Sequence, residues 1–259
     1  MLAPGQPFDE MASAYDLEFT HTSIGRFMRQ AVWRRMDARF QPGQRVLELN
    51  CGTGEDAAHM ALKGVRVFAT DQAGEMTSVA AAKVARLGLS DLVTVKKLSL
   101  EDLRRLHGEM FDGALSNFGG LNCVADLAVV ARALAALLRP GAIAMLCLMG
   151  PLAPWEWLWF LAHGQPAKAF RRLKRGGCQW RGMSVRYPSV GALRRAFAPH
   201  FKLLETSAVG ALIPPPYSKS WAEKYPRMLA ALDRWERQWE TNPLLYRLAD
   251  HYLVELMRL

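Results

Sequence analysis

Apolar residues recur along this 259-residue chain in two alternating rhythms. Short β-branched or apolar runs bounded by turn residues predict strands over 45–49, 65–70, 93–97, 111–116 and 142–148. Segments with apolar residues three and four apart predict a helical cover over 8–20, an amphipathic helix over 23–40 ending before Gln41-Pro42-Gly43, and helices over 74–87 and 124–138. The last of these is closed by Arg139-Pro140-Gly141. Strand–helix alternation of this kind predicts an α/β fold with a parallel sheet covered on both faces.

The chemistry concentrates where the first strand ends. RVLELNCGTGED, residues 45–56, runs from a buried strand into a glycine turn and then a helix-forming segment. Gly52 and Gly54 permit the left-handed backbone and close approach that such a turn requires. The dinucleotide pattern G-x-G-x-x-G is broken by Ala57, and no Walker Lys-Ser/Thr follows. Glu48 at the strand end can accept hydrogen bonds from a ligand ammonium and would repel a phosphate. Asp71 ends the second strand, the position of a ribose-hydroxyl acceptor in nucleoside-binding doubly wound folds.

The ordered set ELNCGTGED, ATDQAGEM, FDGALSNFGGLN and LLRPGAIAMLCLM resembles the class I S-adenosylmethionine-dependent methyltransferases, over roughly residues 8–150 with a carboxyl-terminal continuation. The resemblance implies a doubly wound, mostly parallel seven-stranded sheet of Rossmann-like type, completed by a helix from Ser189, a strand over 201–210 and a final strand near 250–257. It divides the chain into a helical cover (1–44), a cofactor core (45–150), a substrate-lid insertion (151–188) and a carboxyl-terminal part (189–259) with a helical insertion at 214–247. It further implies S-adenosylmethionine as cofactor and S-adenosylhomocysteine as product. Glu48 would order the methionyl end, Asn50, Cys51, Gly52, Thr53 and Gly54 the methionine and ribose, and Asp71, with Gln72 and Met76 after it, the ribose side. Where relatives often carry an acid against adenine, this chain reads LSLEDL, leaving Ser99, Leu100 and Glu101 as the adenine-side candidates; Glu101 and Asp102 equally suit the start of a helix.

Ser116, Asn117 and Phe118 lie beyond a strand's carboxyl end, where the crevice of an open α/β sheet forms, and should border the methyl group. The stretch is neither an NPPY-type loop of nucleic-acid amine methyltransferases nor the D…DN arrangement of metal-dependent ones, so no metal is expected. Because a sulfonium methyl is already electrophilic, positioning alone supplies much of the acceleration and a base is needed only when the acceptor must lose a proton. Candidate acceptors of that proton are Tyr15, His21, His163, Tyr187 and His251, with Asn117 a further catalytic candidate; the sequence does not choose among them. Tyr15 could also close over the sulfonium by cation–π attraction, or belong with Phe8, Met11 and Phe19 to a core stripe.

The insertion sets Trp155, Trp157, Trp159 and Phe160 before Arg171, Arg172, Lys174 and Arg175. It reads as a lid over an apolar acceptor, as a helix packed on the sheet edge, or as a contact with a membrane surface. Phe118, Asn122, Trp155, Trp159, Tyr187 and Tyr217 are the expected substrate contacts. A net charge of +9 leaves RNA or protein methylation open as an alternative, although no appended nucleic-acid module is visible; a non-catalytic cofactor-binding subunit is another. A small-molecule acceptor, and a monomer or homodimer, are expected. The four cysteines show no C-x-x-C spacing, no apolar run reaches the length of a membrane span, and the amino terminus does not read as a signal peptide, which together suggest the cytoplasm.

Overall fold

The computed structural model describes residues 6–259; residues 1–5 of the expected amino-terminal cover lie outside the described residues. The elements run α1 (Gln6–Asp9), α2 (Ala12–Tyr15), α3 (Ser23–Arg39), β1 (Arg45–Leu49), α4 (Glu55–Leu62), β2 (Arg66–Asp71), α5 (Gly74–Arg86), β3 (Val93–Lys97), β4 (Phe111–Ser116), α6 (Leu127–Leu137) and β5 (Leu138–Met149). After these come α7 (Pro154–Ala162), α8 (Pro166–Ala169), β6 (Cys178–Trp180), β7 (Met183–Val185), α9 (Val190–Phe197), β8 (Phe201–Val209), α10 (Lys219–Lys224), α11 (Pro226–Trp239), α12 (Pro243–Arg247) and β9 (His251–Arg258). Seven strands form one sheet in the order β3-β2-β1-β4-β5-β9-β8. The first five are parallel and β9 runs antiparallel to both its neighbours. The expected doubly wound sheet is therefore present, with its topological switch between β1 and β4, where a ligand crevice opens beyond the strand ends.

Local chemistry explains the boundaries. Thr22 caps α3 by accepting the Gly25 N–H at 3.0 Å, and Ile24, Met28, Val32 and Met36 form its buried stripe. Asp126 and Ser189 cap α6 and α9 in the same way. Two apolar layers sandwich the sheet: one gathers α3, α4 and α5, the other α6 and α9.

Three expectations change. The cover over 8–20 is not one helix but α1, α2 and a π-helical turn over Asp16–Thr20. The fifth strand begins at Leu138 and carries the Arg139-Pro140-Gly141 turn inside it as an irregularity in the pairing with β4. The insertion contains an unexpected hairpin, β6–β7, closed by Arg181 and Gly182 at φ 45° and 80°; two left-handed residues are the requirement of a tight hairpin turn.

Candidate functional site

The turn after β1 is left-handed at three places: Asn50 (φ 53°), Gly52 (φ 53°) and Gly54 (φ 75°). Gly54 is needed for packing, since a Cβ there would stand 2.9 Å from the Ala80 Cβ of α5. Gly52 is different: a Cβ would meet nothing within 4 Å, so bare backbone faces open space. Asn50 occupies its left-handed position with a side chain, whose Nδ2 donates to Ser116 Oγ at 2.7 Å and which lies so close to Gly120 that a Cβ there would be 2.2 Å from Asn50 Cγ. Asp71 ties the two loops together. Its carboxylate accepts the Gly52 N–H and the Ala73 N–H, each at 2.9 Å. Burial raises its pKa while those N–H groups oppose the rise.

A cavity of about 680 Å³ opens over this turn. Its wall includes Tyr15, Asn50, Gly52, Asp71, Gln72, Met76, Ser99, Leu100, Glu101, Asn117 and Phe118, all expected from the sequence. Phe8, Lys97, Leu98, Asp102, Arg105, Cys123 and Val124 join them. Lys97 could have been anticipated as the last residue of β3, since a crevice collects the carboxyl ends of adjacent strands; Arg105 and Val124 stand outside any motif.

Five expected cofactor residues are not on the wall. Ser116 is fully buried and holds Asn50. Cys51 is buried and its thiol pKa pushed well up by that burial, which removes thiolate chemistry. Thr53 donates to Asp16 Oδ1 at 2.7 Å, and Gly54 packs on α5. Glu48 is 1% exposed, and its Oε2 has no hydrogen-bond partner. Burial, with Asp56 and Asp71 nearby, lifts its pKa well above the usual range and favours the protonated carboxyl.

Beside the cavity sits an ionic hub the sequence did not announce. Arg29 of α3 and Asp56 of α4, both buried, pair at 2.7 Å. Asp56 also accepts from Trp33 Nε1 at 2.6 Å and Asn117 Nδ2 at 2.9 Å. Burial alone would raise the Asp56 pKa, but the guanidinium and these donors hold it below the ordinary value. Asn117 is thereby fixed, and its Oδ1 accepts the N–H of Phe118, a bulky residue held at the left-handed φ of 47°. The Arg29 guanidinium lies 5.0 Å from the Phe118 ring centre. Tyr15 borders the cavity as a neutral phenol, its pKa raised by burial. The cover is anchored by Lys83, buried on α5, which reaches Asp16 at 2.8 Å and Glu55 at 2.7 Å. Asp16, Glu55 and His21 bring three possible ligand atoms within 4.8 Å of one another, and the Lys83 ammonium already supplies positive charge to the two carboxylates.

On the opposite side Phe118 meets His251 edge-on at 5.5 Å and Phe19 at 5.1 Å. His251 opens β9. Its Nδ1 is 3.0 Å from Asp250 Oδ2, an ion-pair distance without hydrogen-bond alignment. Asp250 pairs at 2.5 Å with buried Arg172, which also meets Glu156 of α7. Burial would raise the Asp250 pKa; Arg172 and His251 instead pull it far down. His251 is buried behind Phe118 and is not on the cavity wall; His163, at the end of α7, and His21, beside the cover, are exposed and are not on it either.

The expected substrate contacts divide. Phe118 faces the cavity. Asn122 is fully buried and structural, donating to the Met149 and Arg186 carbonyls and accepting the Met149 N–H. Trp155 donates to the Leu212 carbonyl at 3.2 Å, which braces α7 against the segment after β8. Trp159 stacks on His163 at 4.5 Å and touches the Tyr217 ring at 5.5 Å. Tyr187 pairs with Cys178 Sγ at 3.4 Å under the Arg172 guanidinium.

Residues 46–141 match the family model described as "Methyltransferase domain". The chain is 32% identical over 155 residues to a 2-phytyl-1,4-naphtoquinone methyltransferase of Synechococcus elongatus, a match covering 57% of this chain and 64% of that protein. It is 32% identical over 143 residues to a demethylmenaquinone methyltransferase of Mycobacterium tuberculosis, covering 54% and 56% respectively. The matched region thus spans less than two thirds of the length of these relatives. Among solved structures, an S-adenosylmethionine-dependent methyltransferase from Mesorhizobium loti superposes with a TM-score of 0.56 at 18% identity, over 88% of this chain and 98% of that one, a likeness of fold. The sheet order and the glycine turn with Asp71 accord with the match over residues 46–141, and that stretch of the chain is similar to methyltransferase domains.

Proposed function

We propose that the protein transfers a methyl group from S-adenosylmethionine to a small or medium, apolar or aromatic organic acceptor, without a metal. The observation that carries this reading is the 680 Å³ cavity over the switch point, with Asp71 and the bare Gly52 backbone on one side and Phe118 on the other. The residues present fit the cofactor. The open side of Gly52 leaves room for close approach beside Asp71, and the buried Glu48 behind the turn keeps Oε2 without a partner. The relatives' printed substrates, a phytyl naphthoquinone and a demethylmenaquinone, favour an apolar ring-bearing acceptor over the RNA, protein or non-catalytic alternatives.

Bound S-adenosylmethionine supplies an electrophilic methyl on its sulfonium. Asp71 would hold ribose hydroxyls, and Tyr15 and Phe118 would screen the reacting end from water. Asn117, locked by Asp56, fixes the backbone that presents Phe118. His251 is the group we assign to take a proton from the acceptor. Asp250 stands 3.0 Å from Nδ1, which leaves Nε2 as the atom to accept it. Tyr15 is ill suited to that step because burial favours its neutral phenol. Calorimetry with S-adenosylhomocysteine tests the cofactor half. Micromolar binding is expected, and no binding by the folded protein rejects the proposal.

A further inference from the structure

The charge of this molecule is not spread over it. Residues 127–204 contain 12 Lys and Arg and one acid, Glu156; the remainder of the chain has 21 basic against 23 acidic residues. Four of the five basic residues of α3 are spent internally, Arg29 on Asp56, Arg34 on Glu240, and Arg35 and Arg39 on Glu205 and Glu255, while Arg26 is exposed. Glu156 is 1% exposed and consumed by Arg171 and Arg172. Lys168, Lys174 and Arg175 are exposed, and among the described residues no carboxylate lies within 4.0 Å of them.

Apolar surface stands among those cations. Leu158 is 64% exposed, Leu161 47%, Phe170 43% and Leu173 50%. The two α7 leucines are three residues apart and so neighbours on one helix face. Trp157 touches Phe170 at 6.0 Å, and Phe160 lies beneath Lys168 and Arg171 at 5.8 and 5.5 Å, so α7 and the turns after it form one surface. A merely solvated basic face would not expose these carbons together. A nucleic-acid face would offer free aromatic planes for stacking, whereas Trp157 and Trp159 are engaged with Phe170 and His163 and the exposed groups are mostly aliphatic.

We infer that residues 157–175 form a docking face for an anionic lipid bilayer. The leucines and Phe170 enter the headgroup boundary while Lys168, Lys174 and Arg175 meet lipid phosphates. Among the described residues no helix is long and apolar enough to cross a membrane, so the contact is peripheral. Glu156 and Arg172 join this face to Asp250 and His251, which sets the docked segment beside the acceptor end of the proposed active site. The docking itself stands without the methyl-transfer reading.

The test is co-sedimentation of the whole chain with phosphatidylcholine vesicles, with and without phosphatidylglycerol. Binding to the anionic vesicles only is expected, weakening as salt rises. Lys174→Gln with Arg175→Gln should weaken it about thirtyfold, given the worth of each cation near such a surface. Leu158→Ser with Leu161→Ser should weaken it at least tenfold, while both double variants keep wild-type S-adenosylhomocysteine affinity and melting temperature. Absence of vesicle binding overturns the inference. Binding that ignores the leucine pair and is displaced by single-stranded RNA overturns it too, and marks a nucleic-acid face. Vesicle binding without S-adenosylhomocysteine binding leaves the docking face standing and removes the cofactor reading instead.

Discussion

The two ends of the crevice are built from different materials. The end we assign to the cofactor is mostly backbone: three left-handed residues in one turn, one carboxylate tied to two amide N–H groups, and behind them one buried acid with an unspent oxygen. The side we assign to the acceptor, behind Phe118 and outside the cavity wall, is made of side chains from distant parts of the chain: the relay Glu156, Arg172, Asp250, His251 and the rings packed around it. A backbone cradle serves a ligand of fixed shape. A side-chain wall can be rebuilt around a new acceptor while the cradle stays.

Four measurements can break or sharpen that contrast. The largest effect belongs to the hub that joins the two ends: Asp56→Ala strands the buried Arg29 charge, and urea denaturation should show a loss of about 3–5 kcal/mol. The folded-state pKa values of Asp56 and Asp250 lie below the ordinary carboxylate value. Their contribution is therefore complete above about pH 4 and lost as pH falls through the folded-state values, so the wild type should lose more stability in that window than Asp56→Ala or Asp250→Ala. Next, His251→Asn should lower kcat by about 10²- to 10⁴-fold with a proton-bearing acceptor and leave S-adenosylhomocysteine affinity unchanged; equal loss of both would make His251 structural.

Asp71→Ala should weaken S-adenosylhomocysteine binding by about ten- to a hundredfold, the worth of one or two charge-assisted hydrogen bonds. Normal binding would remove Asp71 from the site. The smallest effect is the most discriminating. Burial raises the Glu48 pKa in the fold, so stability falls as pH climbs from the ordinary glutamate value toward the folded one. Glu48→Gln should then abolish that fall, raising the melting temperature at pH 8 by a few degrees, the equivalent of about 1 kcal/mol. If Glu48 orders the ammonium, the same change weakens S-adenosylmethionine binding.

The same contrast explains what could be read in the sequence. β1, β3 and β4 match their expected bounds, and Asp71 sits against Gly52, because strand runs and glycine turns are local signals. Arg35 and Arg39 find Glu255 more than 200 residues away, and no periodicity reports such a pairing. Asn122 looked like a wall residue beside the flexible glycines, yet its amide closes the loop on Met149 and Arg186. The β6–β7 hairpin was signalled only by Arg181-Gly182, a two-residue turn too short to stand out among aromatic and basic neighbours.

The contact between Asn50 and Gly120 limits the order in which this turn can evolve. A methyl at position 120 would overlap the Asn50 amide, with contacts as short as 2.2 Å. Any lineage acquiring a side chain at 120 must first trim position 50, most readily to glycine, which keeps the left-handed backbone. The double variant Asn50→Gly, Gly120→Ala should thus be tolerated along one mutational path and blocked along the other. In an alignment of relatives, the two columns should change as a pair.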